Sequence, residues 1–255
     1  MEQMPLDQVK PQPKQFSIKK AFGYRRAWGI HAYLATRPTL FYALLNILGR
    51  NQAGTINQDT AMVISAAGGC GNTYALDAAR LNLPDRHFGS HHHLPIEVIQ
   101  ASRHQVPCLV LIRHPLDAIC SVASRGAYQY SPGGLEWAIK DYILFYESIA
   151  DLSEHFVPAT FTEVVTDYVA VIDKLNAKFG THFVVPPNDS DEAQSIVNKN
   201  KWEEQNRFRP KEHIRDALFS DYFTQSRNAA IATYKKFCTT HGLQMTSGPA
   251  APESN

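Results

Sequence analysis

Two short stretches constrain the fold of this chain more than anything else in it. Val63 to Tyr74 runs Val-Ile-Ser-Ala-Ala-Gly-Gly-Cys-Gly-Asn-Thr-Tyr, a β-like segment that breaks into a glycine-rich turn. Cys108 to Ser121 runs Cys-Leu-Val-Leu-Ile-Arg-His-Pro-Leu-Asp-Ala-Ile-Cys-Ser, an apolar strand that ends in Arg and passes into a helix. Each is a strand delivering polar groups at its carboxyl end, where a helix begins. Open α/β sheets bind their ligands at that edge. Backbone N–H groups at a helix start suit one phosphate, and an Arg fork with a helical Ser suits a second. The pattern points to a guest with two separated phosphate-like groups.

The rest of the chain is compatible with one large α/β domain. It has 255 residues, enough for a full core. With 44% hydrophobic and 19% charged residues and a formal charge of +1, it lacks the basic surface of a nucleic-acid binder. The four cysteines (Cys70, Cys108, Cys120 and Cys238) follow no zinc or disulfide spacing, which favours a reducing, cytoplasmic setting. Residues 1–20 are polar and carry Pro5, Pro11 and Pro13, unlike a secretory signal. The apolar run from Leu40 to Leu48 is too short to span a membrane, so no stable membrane insertion is expected.

Three domain spans follow: a flexible tail over 1–18, one α/β domain over 19–244, and a second flexible tail over 245–255. Helical patterning covers about 21–49 with a break at Pro38. Strands are expected at 61–67, 107–112 and 156–165, with helices at 73–81, 95 onward, 115–124, 135–153 and 167–179. Gly180 stops the last of these. Alternation of strands and helices implies a central parallel sheet flanked by helices, a three-layer arrangement. Beyond Val184 come a polar helix near 191–200, a basic loop and a helix over 221–241.

Within that frame the chain resembles the sulfotransferases that use 3′-phosphoadenosine 5′-phosphosulfate (PAPS). Their second signature, Arg-x-Pro-x-Asp with Ser eight residues after the Arg, is matched by Arg113, Pro115, Asp117 and Ser121. Ser90-His91-His92-His93-Leu94-Pro95 is similar to the family segment that carries a catalytic histidine. The resemblance implies a P-loop-like sulfotransferase architecture, PAPS as donor, PAP as product and no metal. It also implies a small-molecule acceptor. The oligomeric state stays open.

By this resemblance the turn Gly68-Gly69-Cys70-Gly71-Asn72-Thr73-Tyr74 cradles the 5′-phosphate, with Tyr74 in place of an adenine-stacking Trp. Arg113 and Ser121 hold the 3′-phosphate. Phe161 lies at an adenine-contact position, and Arg209 and Lys211 lie in a basic loop that closes over the nucleotide. His93 is the expected general base, suited to proton transfer near neutral pH. In an extended segment His91 shares its face and becomes its partner, while His92 points away. Ser65 or Asn72 is a candidate for orienting the sulfonate.

One departure stands out. The family places Lys or Arg where this chain has Gly69. Either another cation, such as His91, assists the leaving phosphate, or the backbone and the helix dipole carry more of that work. The same missing Lys counts against a Walker-type kinase site. Three alternatives remain: a P-loop-type small-molecule kinase, a non-catalytic nucleotide-binding protein of this fold, and a metal site built on His87, His91, His93 and His104. For the acceptor side, Tyr128, Tyr130 and Trp137 are candidates to line an apolar pocket.

Overall fold

A computed structural model describes residues 18–48, 55–83, 86–89, 92–125, 131–205 and 211–249, with main chain alone over 18–26 and 200–205. Two helices, α1 (Ile18–Ala35) and α2 (Pro38–Ile47), precede the sheet. Then come β1 (Val63–Ser65), α3 (Asn72–Asn82), α4 (Pro95–His104), β2 (Cys108–Ile112) and α5 (Pro115–Ser124). They are followed by α6 (Pro132–Ser148), a 3-10 segment at Ala150–His155, β3 (Val157–Thr160), α7 (Phe161–Thr166) and α8 (Tyr168–Phe179). The chain closes with α9 (Asp191–Gln205), α10 (Lys211–Phe219), a 3-10 turn at Asp221–Phe223 and α11 (Thr224–Thr240).

The three strands form a parallel sheet in the order β1-β2-β3. Val63 pairs with Cys108, Ser65 with Val110, Leu109 with Val157 and Ile112 with Thr160. β2 is paired on both sides and all five of its residues are buried. That is why it reads as an unbroken apolar run rather than an alternating one. A single parallel bridge, Met62 to Phe88, lies on the outer side of β1. The main chain there is held by Ala61 N–H to His87 O (2.8 Å) and Gly89 N–H to Met62 O (3.0 Å). This short rail guides the chain along β1 towards His93.

Two fully buried tyrosines of α6 tie down the end of β2. Tyr146 Oη donates to Leu111 O and Tyr142 Oη donates to Arg113 O, each at 2.7 Å. The terminal carbonyls of the central strand are thereby satisfied by side chains, as buried backbone groups require. The carboxyl end of β2 is a fixed platform for Arg113.

The third strand is shorter than expected. Thr160 and Glu163 form a capping box: Glu163 N–H donates to Thr160 Oγ1 (3.1 Å) and Thr160 N–H donates to Glu163 Oε2 (2.8 Å). These bonds end β3 and start α7, so Phe161 opens a helix at the sheet edge. α10 was not anticipated. Its buried Ile214 and Leu218, four residues apart, face the core. The expected helix over 135–153 also divides, with α6 ending at Ser148 and a 3-10 segment following.

Residues 245–249, expected as the start of a flexible tail, lie against the domain. Thr246 N–H donates to Tyr234 Oη at 2.9 Å, and Gly248 sits on the His114 ring. Among the described residues, no helix is long and apolar enough to cross a membrane.

Candidate functional site

The glycine turn between β1 and α3 is shaped by non-local contact. Gly69 has φ +86° and Gly71 has φ +98°, both in the region that favours glycine. A Cβ on Gly69 would run into the carbonyl group of Ala118 in α5, and one on Gly71 would sit 2.7 Å from the Phe161 ring. The loop therefore lies flat on the backbone of α5. A lysine at position 69 is sterically excluded in this arrangement, which accounts physically for its absence.

The packing makes a stability prediction. Gly69→Ala should cost roughly 2–5 kcal/mol, from the left-handed backbone and the collision with Ala118. Gly180 also has positive φ (+65°) but has nothing within 4 Å of a built Cβ. Gly180→Ala should cost only about 1–2 kcal/mol. Thermal unfolding of the two variants side by side checks the difference. Equal costs would mean that the Gly69 loop does not pack on α5 as described.

Arg113 follows directly from β2. Its Nη1 donates to Gly69 O at 3.3 Å, and its guanidinium lies 4.1 Å from the centroid of the Phe161 ring. The planar fork is thus held between the loop and an aromatic face, which pre-organises it to grip two oxygens of an anion. Ser121, on α5, is 3% exposed and faces the same cavity as Arg113.

That cavity, about 230 Å³, is the meeting place of both strand ends. Gly69, Gly71, Asn72, Thr73 and Tyr74 come from the first unit, and Arg113 and Ser121 from the second. His93, Phe161 and Lys211 join them. Three further lining residues, Arg125, Val165 and Val197, were not anticipated. Arg125 had a legible signal, since it follows Ser121 by four residues and so shares a helix face. The two valines had none. Three cations line the cavity, and among the described residues no Asp or Glu does. Such a lining selects for anions.

His93 has φ +56°, so its backbone is not extended and simple alternation does not set the direction of its side chain. Its Nδ1 lies 3.3 Å from Ala66 O and 3.3 Å from the Asn72 side-chain amide. The Ala66 carbonyl can only accept. The Asn72 amide, whose Nδ2 faces the ring and whose buried Oδ1 has no partner among the described residues, can present either atom by turning over. The proton is therefore assigned to Nδ1, which puts the basic lone pair on Nε2. His92 packs instead against Phe41 and Tyr42, with ring centroids 5.3 and 6.5 Å apart, and burial lowers its pKa.

Several other candidates fall elsewhere. Gly68 packs on Val122 and does not line the cavity. Cys70 is buried, its thiol 3.4 Å from Tyr146 Oη and pushed up to about 11 by burial, so its side chain serves the core. Ser65 is fully buried and its hydroxyl is committed to Glu97, which removes it as a sulfonate ligand. Tyr74 lines the cavity while its hydroxyl accepts from Asn188 Nδ2 at 3.1 Å. His91 and Arg209 lie outside the described residues, as do Tyr128 and Tyr130. Trp137 lines a separate cavity of about 860 Å³ with Trp28 and Tyr222. Among the described residues, no group of three His, Cys, Asp or Glu side chains is placed to hold a metal ion.

No family model matches this chain, and no curated protein does. Among solved structures the chain is similar to mouse sulfotransferase SULT7A1 complexed with PAP, at 13% identity and a TM-score of 0.39. That comparison covers 74% of this chain and 86% of the other.

Proposed function

We propose that the protein is a PAPS-dependent sulfotransferase with a P-loop-like architecture, which moves a sulfuryl group to a hydroxyl or amine of a small molecule. One observation carries this reading: the anion-selecting cavity gathers the glycine loop, Arg113, Ser121 and His93 on one side of the sheet edge. Two phosphate subsites and a base are the parts that such a transfer needs.

In this reading the 3′-phosphate sits on the Arg113 fork and the Ser121 hydroxyl. The 5′-phosphosulfate sits on the loop at the positive end of α3. The acceptor oxygen or nitrogen attacks sulfur in line, and a new bond to sulfur forms as the bond from sulfur to the phosphate oxygen breaks. The electron pair leaves with PAP, and the acceptor proton passes to Nε2 of His93. Arg125 and Lys211 supply the positive charge that the loop lacks at Gly69. The hydrogen bond at Nδ1 keeps the imidazole in the tautomer that can take the proton.

A thermal-shift comparison tests the assignment against the kinase alternative. At a PAP concentration of 100 Kd, binding adds about 2.7 kcal/mol, which raises the midpoint of a chain this size by roughly 5–10 °C. The shift should be indifferent to Mg²⁺, and ATP with Mg²⁺ should produce much less. A larger shift with Mg²⁺–ATP than with PAP would overturn the proposal in favour of phosphoryl transfer.

A further inference from the structure

Beneath the cavity lies a carboxyl group that the transfer scheme does not use. Glu97, in the first turn of α4, has no solvent exposure. Its Oε2 accepts from Ser65 Oγ at 2.5 Å, and its Oε1 accepts from His92 N–H at 2.8 Å. The His93 N–H is directed at the same carboxyl group. One buried side chain therefore joins the last residue of β1 to the backbone that carries His93.

That backbone needs such support. A non-glycine residue at φ +56° is unfavourable and persists only where its surroundings over-determine it. The residue after Ser65 is Ala66, whose carbonyl accepts from the His93 ring. Glu97 thus grips Ser65 and the His92–His93 main chain together, while the ring is referenced to the very next carbonyl. The spacing between the phosphate loop and the imidazole is set by this closed circuit of hydrogen bonds. A buried polar network of this kind is costly when broken, because its members have no water to turn to.

We propose that Glu97 is a positioning residue for His93: its buried carboxyl clamps the His92–His93 backbone to the end of β1 and holds the imidazole in its Nδ1–H tautomer over the cavity. The hydrogen bonds of Glu97 among the described residues run to Ser65 and to the His92–His93 main chain, so its role is indirect. The inference builds on the reading of His93 as the base, yet its geometry can be tested without any acceptor. Burial raises the Glu97 pKa to about 8, so a neutral side chain is tolerated there, and Gln keeps the shape and the carbonyl acceptor. Gln can accept from His92 N–H and, with the direction of the Ser65 bond reversed, donate to Ser65 Oγ.

The test is ¹⁵N NMR of the His93 ring in the full chain, alongside PAP affinity. Wild type and Glu97→Gln should show a protonated Nδ1 and an unprotonated Nε2. Glu97→Ala should lose that pattern, giving averaged ring signals, with the PAP Kd changed less than about threefold. Ser65→Ala removes one half of the clamp with little change in volume and should show a partial loss, so a fold defect in Glu97→Ala does not leave the question undecided. A wild-type pattern in Ser65→Ala, or in a folded Glu97→Ala, overturns the proposal, as does loss of the pattern in Glu97→Gln. Failure of wild type to bind PAP would instead overturn the donor assignment, with the His93 pattern unaffected.

Discussion

His93→Ala should lower turnover in the proposed sulfuryl transfer by roughly 10²–10⁴-fold, the range that a positioned general base contributes. The expectation rests on the place of the ring at the cavity wall and on the Ala66 carbonyl at Nδ1, which leaves Nε2 as the proton acceptor. Because the base acts on the acceptor and not on the donor, the affinity for PAP should change less than about threefold. The paired variant is His92→Ala. That ring is packed against Phe41 and Tyr42, so its removal should lower stability and leave turnover largely intact. Steady-state kinetics of the two variants, with PAP binding measured in parallel, separates chemistry from folding. Full turnover in His93→Ala removes this residue from the mechanism.

The parts of the structure that were legible in the chain are those where local sequence decides the outcome. β2 is apolar throughout because it is covered on every side, and Pro115 with Asp117 marks the start of α5. Gly180 stops α8 in a left-handed conformation, as a helix-ending glycine should. Thr160-Phe161-Thr162-Glu163 also carried a readable capping-box signature, although β3 was expected to continue through it. Within the candidate site, both strand ends could be located by motif. Their convergence on one cavity depends on the parallel pairing of β1 with β2.

What was not legible depends on contacts between distant residues. Gly69 has to be glycine because Ala118, forty-nine positions later, presses on it, and no local pattern announces that. The direction of Cys70 is set by Tyr146, and the left-handed turn at His93 is braced by a carboxyl group four residues further on. Val197 reaches the cavity from α9, where polar composition obscures the helical period. Ser65 looked like a candidate ligand from its position at the strand end. Only the structure reveals that Glu97 already occupies its hydroxyl.

The proposed donor site depends most heavily on Arg113. Its guanidinium is fixed by Gly69 O and the Phe161 ring, and it shares the cavity with Ser121. Removing one partner of a desolvated charge pair costs about 2–5 kcal/mol, so Arg113→Ala should weaken PAP binding by roughly 30- to 3,000-fold. Lys at the same position keeps the charge and loses the two-pronged geometry, so it should fall between wild type and Ala. The most direct measurement is calorimetric titration of PAP into wild type and Arg113→Ala. Micromolar binding to wild type that is lost in the variant is the predicted result. No binding to wild type, or equal binding to both, would contradict the assignment of this cavity as a PAPS site.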